Sequence, residues 1–469
     1  MSTRLVNVDR DTPMLLPPDL RDWVDESDLV HFVIEAVEGM SLSSLHVNRR
    51  GSGSEQFPPK MMLALLIYCY ANGIFSSRRI ERATYRDVAV RYLTGDTHPD
   101  HDTICKFRRD NFDAAHEAFV QVLQLARELG LLKVGQVSVD GTHIGAHASI
   151  NQNVRYDRAG ELEKQLERDV ADLLKKAESA DQSGEADGQS LPDEIARRQK
   201  LKAKMAKARA DLERRAQARA DKERQAYKQK VKDRESGDGS PRGRKPQPPS
   251  EKPDDEEQVN LTDSDSRLMR KNKRSGCTQS YNAQAVVDAA GSQLILGGHV
   301  STCASDGGEL EPALASIPES VGQPTVVLAD SGYVNADAIE RIERGKSGDS
   351  HDGGPHGDGA DEPSTVQVYM AVGRQDRRRY DYRPKSATDR PDRKITDPRL
   401  VAMQRKLQSD EGKRLYAKRK QTVEPVFGII KSVMGFRQFL LRGHEKVSGE
   451  WSLVRLAYNM KRLWTLQGV

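Results

Sequence analysis

Two short apolar runs, each closed by an aspartate, constrain this chain more than any other feature. Val137-Ser138-Val139 leads into Asp140, and Val326-Val327-Leu328-Ala329 leads into Asp330. Both runs are too short for a helix and rich in β-branched residues, so they read as buried strands. Gly141 and Gly332 follow close behind and would let the backbone turn sharply at each strand end. A third acid, Glu424, stands in a segment, 422–431, that reads as a helix. A chain with these pieces needs a sheet with at least one helix packed on it.

The surrounding pattern supplies the rest of an α/β architecture. Residues 1–130 read as a helical region of short segments. In it Pro58-Pro59 open an apolar helix over 61–70, and Asp102 is placed to cap a helix carrying Lys106, Arg108 and Arg109. Short helices with basic faces suit a helix-turn-helix-like module, and a bundle with solvated arginines is the plain alternative. A strand follows over 134–144. Residues 156–235 then become highly charged, with two apolar stripes (Leu162, Leu166, Val170, Leu173; Leu201, Met205, Ala208, Leu212) that predict an antiparallel helical hairpin. Linker composition fills 236–258, and a Gly/Asp/His-rich stretch holding His351 and His356 fills 345–364. Between these lie strands at 281–288, 293–300, 325–330 and 365–372. Helices are expected at 309–317, 335–344, 397–407, 411–434 and 447–463. With the hairpin removed, this order is that of an RNase H-like mixed sheet flanked by helices. The expected domains are 1–130, a catalytic domain of 131–150 plus 259–469, and an insertion of 151–258.

Composition excludes several classes. The longest apolar stretch is too short to cross a bilayer, and no secretory leader is evident, so the chain reads as soluble and cytoplasmic. Four scattered cysteines without a Cys-x-x-Cys pair read as ordinary thiols of a reducing compartment. The net charge of +4 hides local concentrations of Lys and Arg, which point toward nucleic acid. Two strand-end aspartates and a helical glutamate form an all-oxygen set of the kind Mg²⁺ accepts. Two such ions stabilise both the attacking and the leaving oxygen in phosphodiester chemistry. Tyr416, Arg419 and Lys420 lie one to two turns before Glu424, and Lys431 lies two turns after it. Lys431, seven residues from Glu424, shares its helix face and could meet a phosphate there.

Several blocks in order also carry a resemblance. Leu15-Leu16-Pro17-Pro18-Asp19, Pro99-Asp100-His101-Asp102-Thr103, Val139-Asp140-Gly141-Thr142-His143, Tyr281-Asn282-Ala283-Gln284, Ala329-Asp330-Ser331-Gly332-Tyr333 and Val423-Glu424-Pro425-Val426-Phe427-Gly428 are similar to segments of bacterial insertion-sequence DDE transposases with an InsH-type N-terminal domain. The resemblance implies an RNase H-like catalytic domain with Asp140, Asp330 and Glu424 as the catalytic, metal-binding triad. It also implies two Mg²⁺ ions, with Mn²⁺ able to substitute. Tyr416, Arg419 (or Lys420, because the gap to Glu424 is one residue longer than usual) and Lys431 approximate the family's signature around the third acid. These residues, with Lys106, Arg108 and Arg109, are the expected DNA contacts. The implied partner is double-stranded DNA, both terminal inverted repeats and target, bound by a homodimer in association with the nucleoid. A structure-specific two-metal nuclease and an inactive DNA-binding remnant are the alternatives. The resemblance assigns no role to the hairpin.

Overall fold

The computed structural model describes residues 19–46, 56–183, 191–235, 246–270, 275–344, 366–372 and 395–468. Residues 15–18 of the expected opening block, residues 236–245 of the linker and the stretch with His351 and His356 lie outside them.

Six helices come first: α1 (Leu29–Gly39), α2 (Pro59–Ala71), α3 (Ser77–Arg86), α4 (Val88–Leu93), α5 (His101–Asp110) and α6 (Phe112–Glu128). Pro59 sits in the first turn of α2, where its missing N–H costs nothing, and residues 62–71 are buried all round. The cap of α5 is Asp100, not Asp102. The Asp100 carboxylate accepts from the backbone N–H groups of Asp102 and Thr103, each at 2.9 Å, which places Asp102 inside the first turn.

Strand β1 (Gln136–Gly145) opens the sheet, and β2 (Asn153–Arg155) leads into the hairpin of α7 (Tyr156–Ser183) and α8 (Leu191–Glu235). Next come β3 (Gln258–Asn260), β4 (Arg267–Met269), β5 (Thr278–Asp288), β6 (Ile295–Gly297) and β7 (Val300–Ser301). After them are α9 (Leu310–Ala315), β8 (Val326–Ala329), α10 (Ala336–Arg344), β9 (Gln367–Met370), α11 (Pro398–Gln408), α12 (Asp410–Gly428), a π-helical turn (Ile429–Val433) and α13 (His444–Leu466).

The main sheet runs β4-β5-β1-β8-β9, with β6 and β7 also on β5. β1 is antiparallel to β5 and parallel to β8, and β8 is parallel to β9. This mixed α/β sheet flanked by helices agrees with the RNase H-like expectation. The expected single strand over 293–300 is instead two pieces. It breaks at Gly298, where a Cβ would lie 2.3 Å from the Gln284 carbonyl oxygen. β2 and β3 form a separate two-stranded sheet at the base of the hairpin.

One continuous hydrophobic core joins the N-terminal helices to the sheet. It contains Val33, Leu65, Phe119, Val139, Tyr281, Val327, Phe436 and Trp451. A smaller core of Val154, Ala159, Leu166, Met205, Ala208, Leu212 and Val259 holds the hairpin on its own base. Among the described residues no helix is long and apolar enough to cross a membrane.

Candidate active site

Strand register brings the two aspartates together. In the parallel pair β1–β8, Ser138 lies opposite Leu328 and Val139 opposite Ala329, so Asp140 and Asp330 are the next residues along on one face of the sheet. β8 ends there. β1 does not: as the strand expected over 134–144 requires, and against a strand-end Asp140, it continues to Gly145 because antiparallel β5 goes on supplying partners. Asp140 thus sits mid-strand, at the point where its parallel neighbour stops.

Helix α12 lies across that face. Leu415 packs with Leu328 and Tyr369, and the Lys418 ammonium donates to Gln136 at 2.9 Å. The next residue, the buried Arg419, has a guanidinium that meets all three acids. It is 3.6 Å from Asp140, 4.0 Å from Asp330 and 3.8 Å from Glu424. Residues far apart in the chain therefore surround one cation. Tyr416 is stacked toward the same guanidinium at 5.8 Å. Lys420, one position on, is exposed and makes no ion pair with these acids among the described residues.

Pro425 helps to shape the helix that carries Glu424. It has no N–H to offer the Gln421 carbonyl, and the Gln293 side chain donates to that oxygen instead, at 2.9 Å. Lys431 lies in the π-helical turn that follows. The Lys431 ammonium donates to the Thr142 hydroxyl at 2.6 Å and the His143 carbonyl at 2.8 Å. Thr142 shares the face of Asp140, two residues along the strand. The chain then returns beside β1, where Gly145 donates to the Arg437 carbonyl at 3.0 Å and accepts from Phe439 at 2.8 Å.

Burial pushes the Asp140 carboxyl up to about 7. The nearby charges of Asp330 and Asp306 act in the same direction, against the Gly141 N–H and Arg419, which favour the ionised form. Asp306 is an acid that sequence reading missed. It lies in a loop without periodicity, and its carboxylate accepts from Asn282 and Gln284 at 2.8 Å each. The available signal was two buried amides at i and i+2 of the otherwise apolar β5. Gly141 also has a different role from the expected turn. It is extended, and its missing side chain leaves room for its neighbours. A Cβ there would lie 2.2 Å from Gln284, 2.6 Å from Asp306 and 2.8 Å from Asn282. Gly141→Ala should cost about 1–3 kcal/mol by overpacking. A urea midpoint equal to wild type would show that the pocket yields freely.

The remaining predicted contacts divide. Lys106 and Arg109 are exposed on α5. Arg108 is not available to DNA, because it is buried and donates to the Tyr70 hydroxyl and the Phe75 carbonyl, both at 2.9 Å. Its helix turns it toward α2, whereas Lys106 and Arg109 fall on the outer side.

Two family models match the chain, a transposase domain (DUF772) over residues 18–110 and a transposase DDE domain over residues 385–464. Both matches are to transposase domains, and together they support an insertion-sequence DDE transposase. No curated protein and no solved structure matches it. The second match spans Arg419, Glu424 and Lys431, whereas Asp140 and Asp330 join them through the fold alone. DNA is the partner of such a transposase, and the family works with a divalent metal.

The donor chemistry here fits that metal. Three carboxylates face one place, one of them buried at evident electrostatic cost, which is the setting a hard cation relieves. Among the described residues no group of three or more His, Cys, Asp or Glu side chains could hold a metal ion as arranged, and the three acids face the Arg419 guanidinium.

Proposed function

We propose that this transposase binds the terminal inverted repeats of an insertion sequence, hydrolyses the phosphodiester at each end, and joins the freed 3′-hydroxyl to target DNA. The observation that carries this reading is the convergence of Asp140, Asp330 and Glu424 on one guanidinium. These three acids would hold the divalent ions. Two bound Mg²⁺ ions would supply charge stabilisation for the attacking and leaving oxygens.

The other side chains have positioning work. Arg419 offsets the mutual repulsion of the acids from the α12 side. Lys431, tied to Thr142 and the His143 carbonyl, puts a positive charge beside Asp140 where a substrate phosphate would lie. The exposed Lys106 and Arg109 would contribute phosphate contacts, which set affinity, while base contacts select the ends. Both ends must be processed together, so the working form is a homodimer on DNA.

The deciding experiment supplies Mg²⁺ and a duplex carrying the flanking inverted repeats, then scores cutting and joining separately. Joined products from a pre-cut end support transposition. Cutting of any duplex without joining would make the protein a nuclease, and binding without cutting would make it a regulatory remnant. Within this reading, Lys431→Ala should weaken end binding or strand transfer about tenfold, in line with the loss of one charge-assisted contact. Wild-type strand transfer at both low and high salt would remove Lys431 from that role.

A further inference from the structure

The hairpin inserted after β1 is electrically lopsided. α8 carries sixteen Lys and Arg against eight Asp and Glu, and α7 carries five against eight. Part of that excess is neutralised across the hairpin. Arg198 pairs with Asp169, Lys202 with Glu167 at 2.7 Å, and Arg209 with Glu163 at 2.7 Å. Lys200, Lys204 and Lys207 take no part in this. They are exposed, and among the described residues no ion pair reaches them. Their spacing of four and three places them on one flank, to the side of the α7 contact.

That flank continues the face with which α8 lies against the body of the protein. Arg215 donates to the Ser264 carbonyl. Lys222, five turns beyond Lys204 and so pointing the same way, is close enough to Glu309 to lower its carboxyl. Burial pushes the Glu309 carboxyl up, but hydrogen bonds from His299 and Ser301, together with the Lys222 charge, carry it below its usual value. The Glu309 amide in turn donates to the Asp306 carbonyl at 3.0 Å, behind Gly141. The free lysines therefore line the inner angle between arm and body. Lys204 and Lys207 also border a cleft of about 100 Å³ with Thr262 and Ser264 on its other side. Asp211 lines the cleft too, and its carboxylate is engaged by Arg214 at 2.8 Å.

We propose that this flank of α8, centred on Lys200, Lys204 and Lys207, is a binding surface for the phosphate backbone of duplex DNA, holding it between the arm and the body. The proposal rests on the transposition reading. It assigns the insertion a sequence-independent grip, since lysines on a helix flank meet phosphates and no base edge.

The test compares the full-length chain with the triple variant Lys200→Gln, Lys204→Gln, Lys207→Gln, which removes charge and keeps helix propensity. Binding to an inverted-repeat duplex and to an unrelated duplex is measured by fluorescence anisotropy from roughly 50 to 200 mM salt. The slope of log affinity against log salt should fall by about three for both duplexes, close to one per lost phosphate contact. Helicity by circular dichroism should not change. An unchanged slope with wild-type binding intact overturns the surface and leaves transposition standing. An unchanged slope with altered sedimentation would make the flank a contact between copies, which also overturns it. A wild-type chain that binds no duplex overturns both readings.

Discussion

Asp140→Asn, Asp330→Asn and Glu424→Gln each lower Mg²⁺-dependent cleavage of an inverted-repeat duplex by on the order of a thousandfold. Each removes one carboxylate from the set that faces Arg419, and metal-assisted charge stabilisation is worth several kcal/mol, at about 1.4 kcal/mol per decade of rate. DNA binding should survive, because phosphate contacts by lysines and arginines dominate affinity and none of the three acids contributes one. Cleavage within tenfold of wild type in any single variant would remove that residue from the site. Asp140 allows a second, independent reading. Its folded carboxyl titrates near 7, well above the 3.8 of an unfolded chain. Its contribution to stability is therefore fully present below about 3.8 and is lost as pH rises through about 7. In metal-free protein Asp140→Asn should melt no lower than wild type at pH 8, and the fall in stability from pH 4 to pH 8 should be shallower. A steeper fall in the variant would mean that the Asp140 carboxyl is not raised.

The acids themselves were legible because a buried strand leaves a simple trace. Val137, Val139, Val327 and Leu328 are apolar because both faces of the sheet are covered, and an aspartate that ends such a run stands out. The helical Glu424 was legible through its neighbours at helical spacing. Arg419 over Lys420 was not, since the choice depends on the helix rotation that packing Leu415 on Leu328 fixes. Asp306 was hidden because its place depends on two amides reaching from β5, a contact that no local pattern encodes. The run of β1 past Asp140 was within the strand expected over 134–144, and what sustains it, the partner β5, lies beyond the whole hairpin in the chain. Arg108 shows the opposite failure. Beside Arg109 in the sequence, it looked like one of two equivalent surface charges, and only the tertiary fold separates them.

Arg108→Ala should therefore destabilise the protein by about 3–5 kcal/mol, as breaking a buried charged network does, and should not weaken DNA binding selectively. The Arg108 guanidinium donates to the Tyr70 hydroxyl, which lies 3.3 Å from the Glu450 carboxylate. Glu450 is fully buried on α13 and also accepts from the backbone N–H groups of Leu440 and Leu441 at 2.9 and 3.1 Å. Burial pushes the Glu450 carboxyl up, and Arg108 is the first of the influences that hold it down. Without Arg108 a buried acid loses its cation at the seam where α2 and α5 meet the segment after the π-helical turn. A loss of that size is a large fraction of the roughly 5–15 kcal/mol by which most domains are stable. Lys106→Ala and Arg109→Ala, on the exposed side of the same helix, should stay within about 0.5 kcal/mol of wild type and change only the salt dependence of DNA binding. Urea midpoints of the three variants separate the cases. A stable Arg108→Ala that binds DNA weakly would return Arg108 to the DNA interface and disprove the structural role assigned to it.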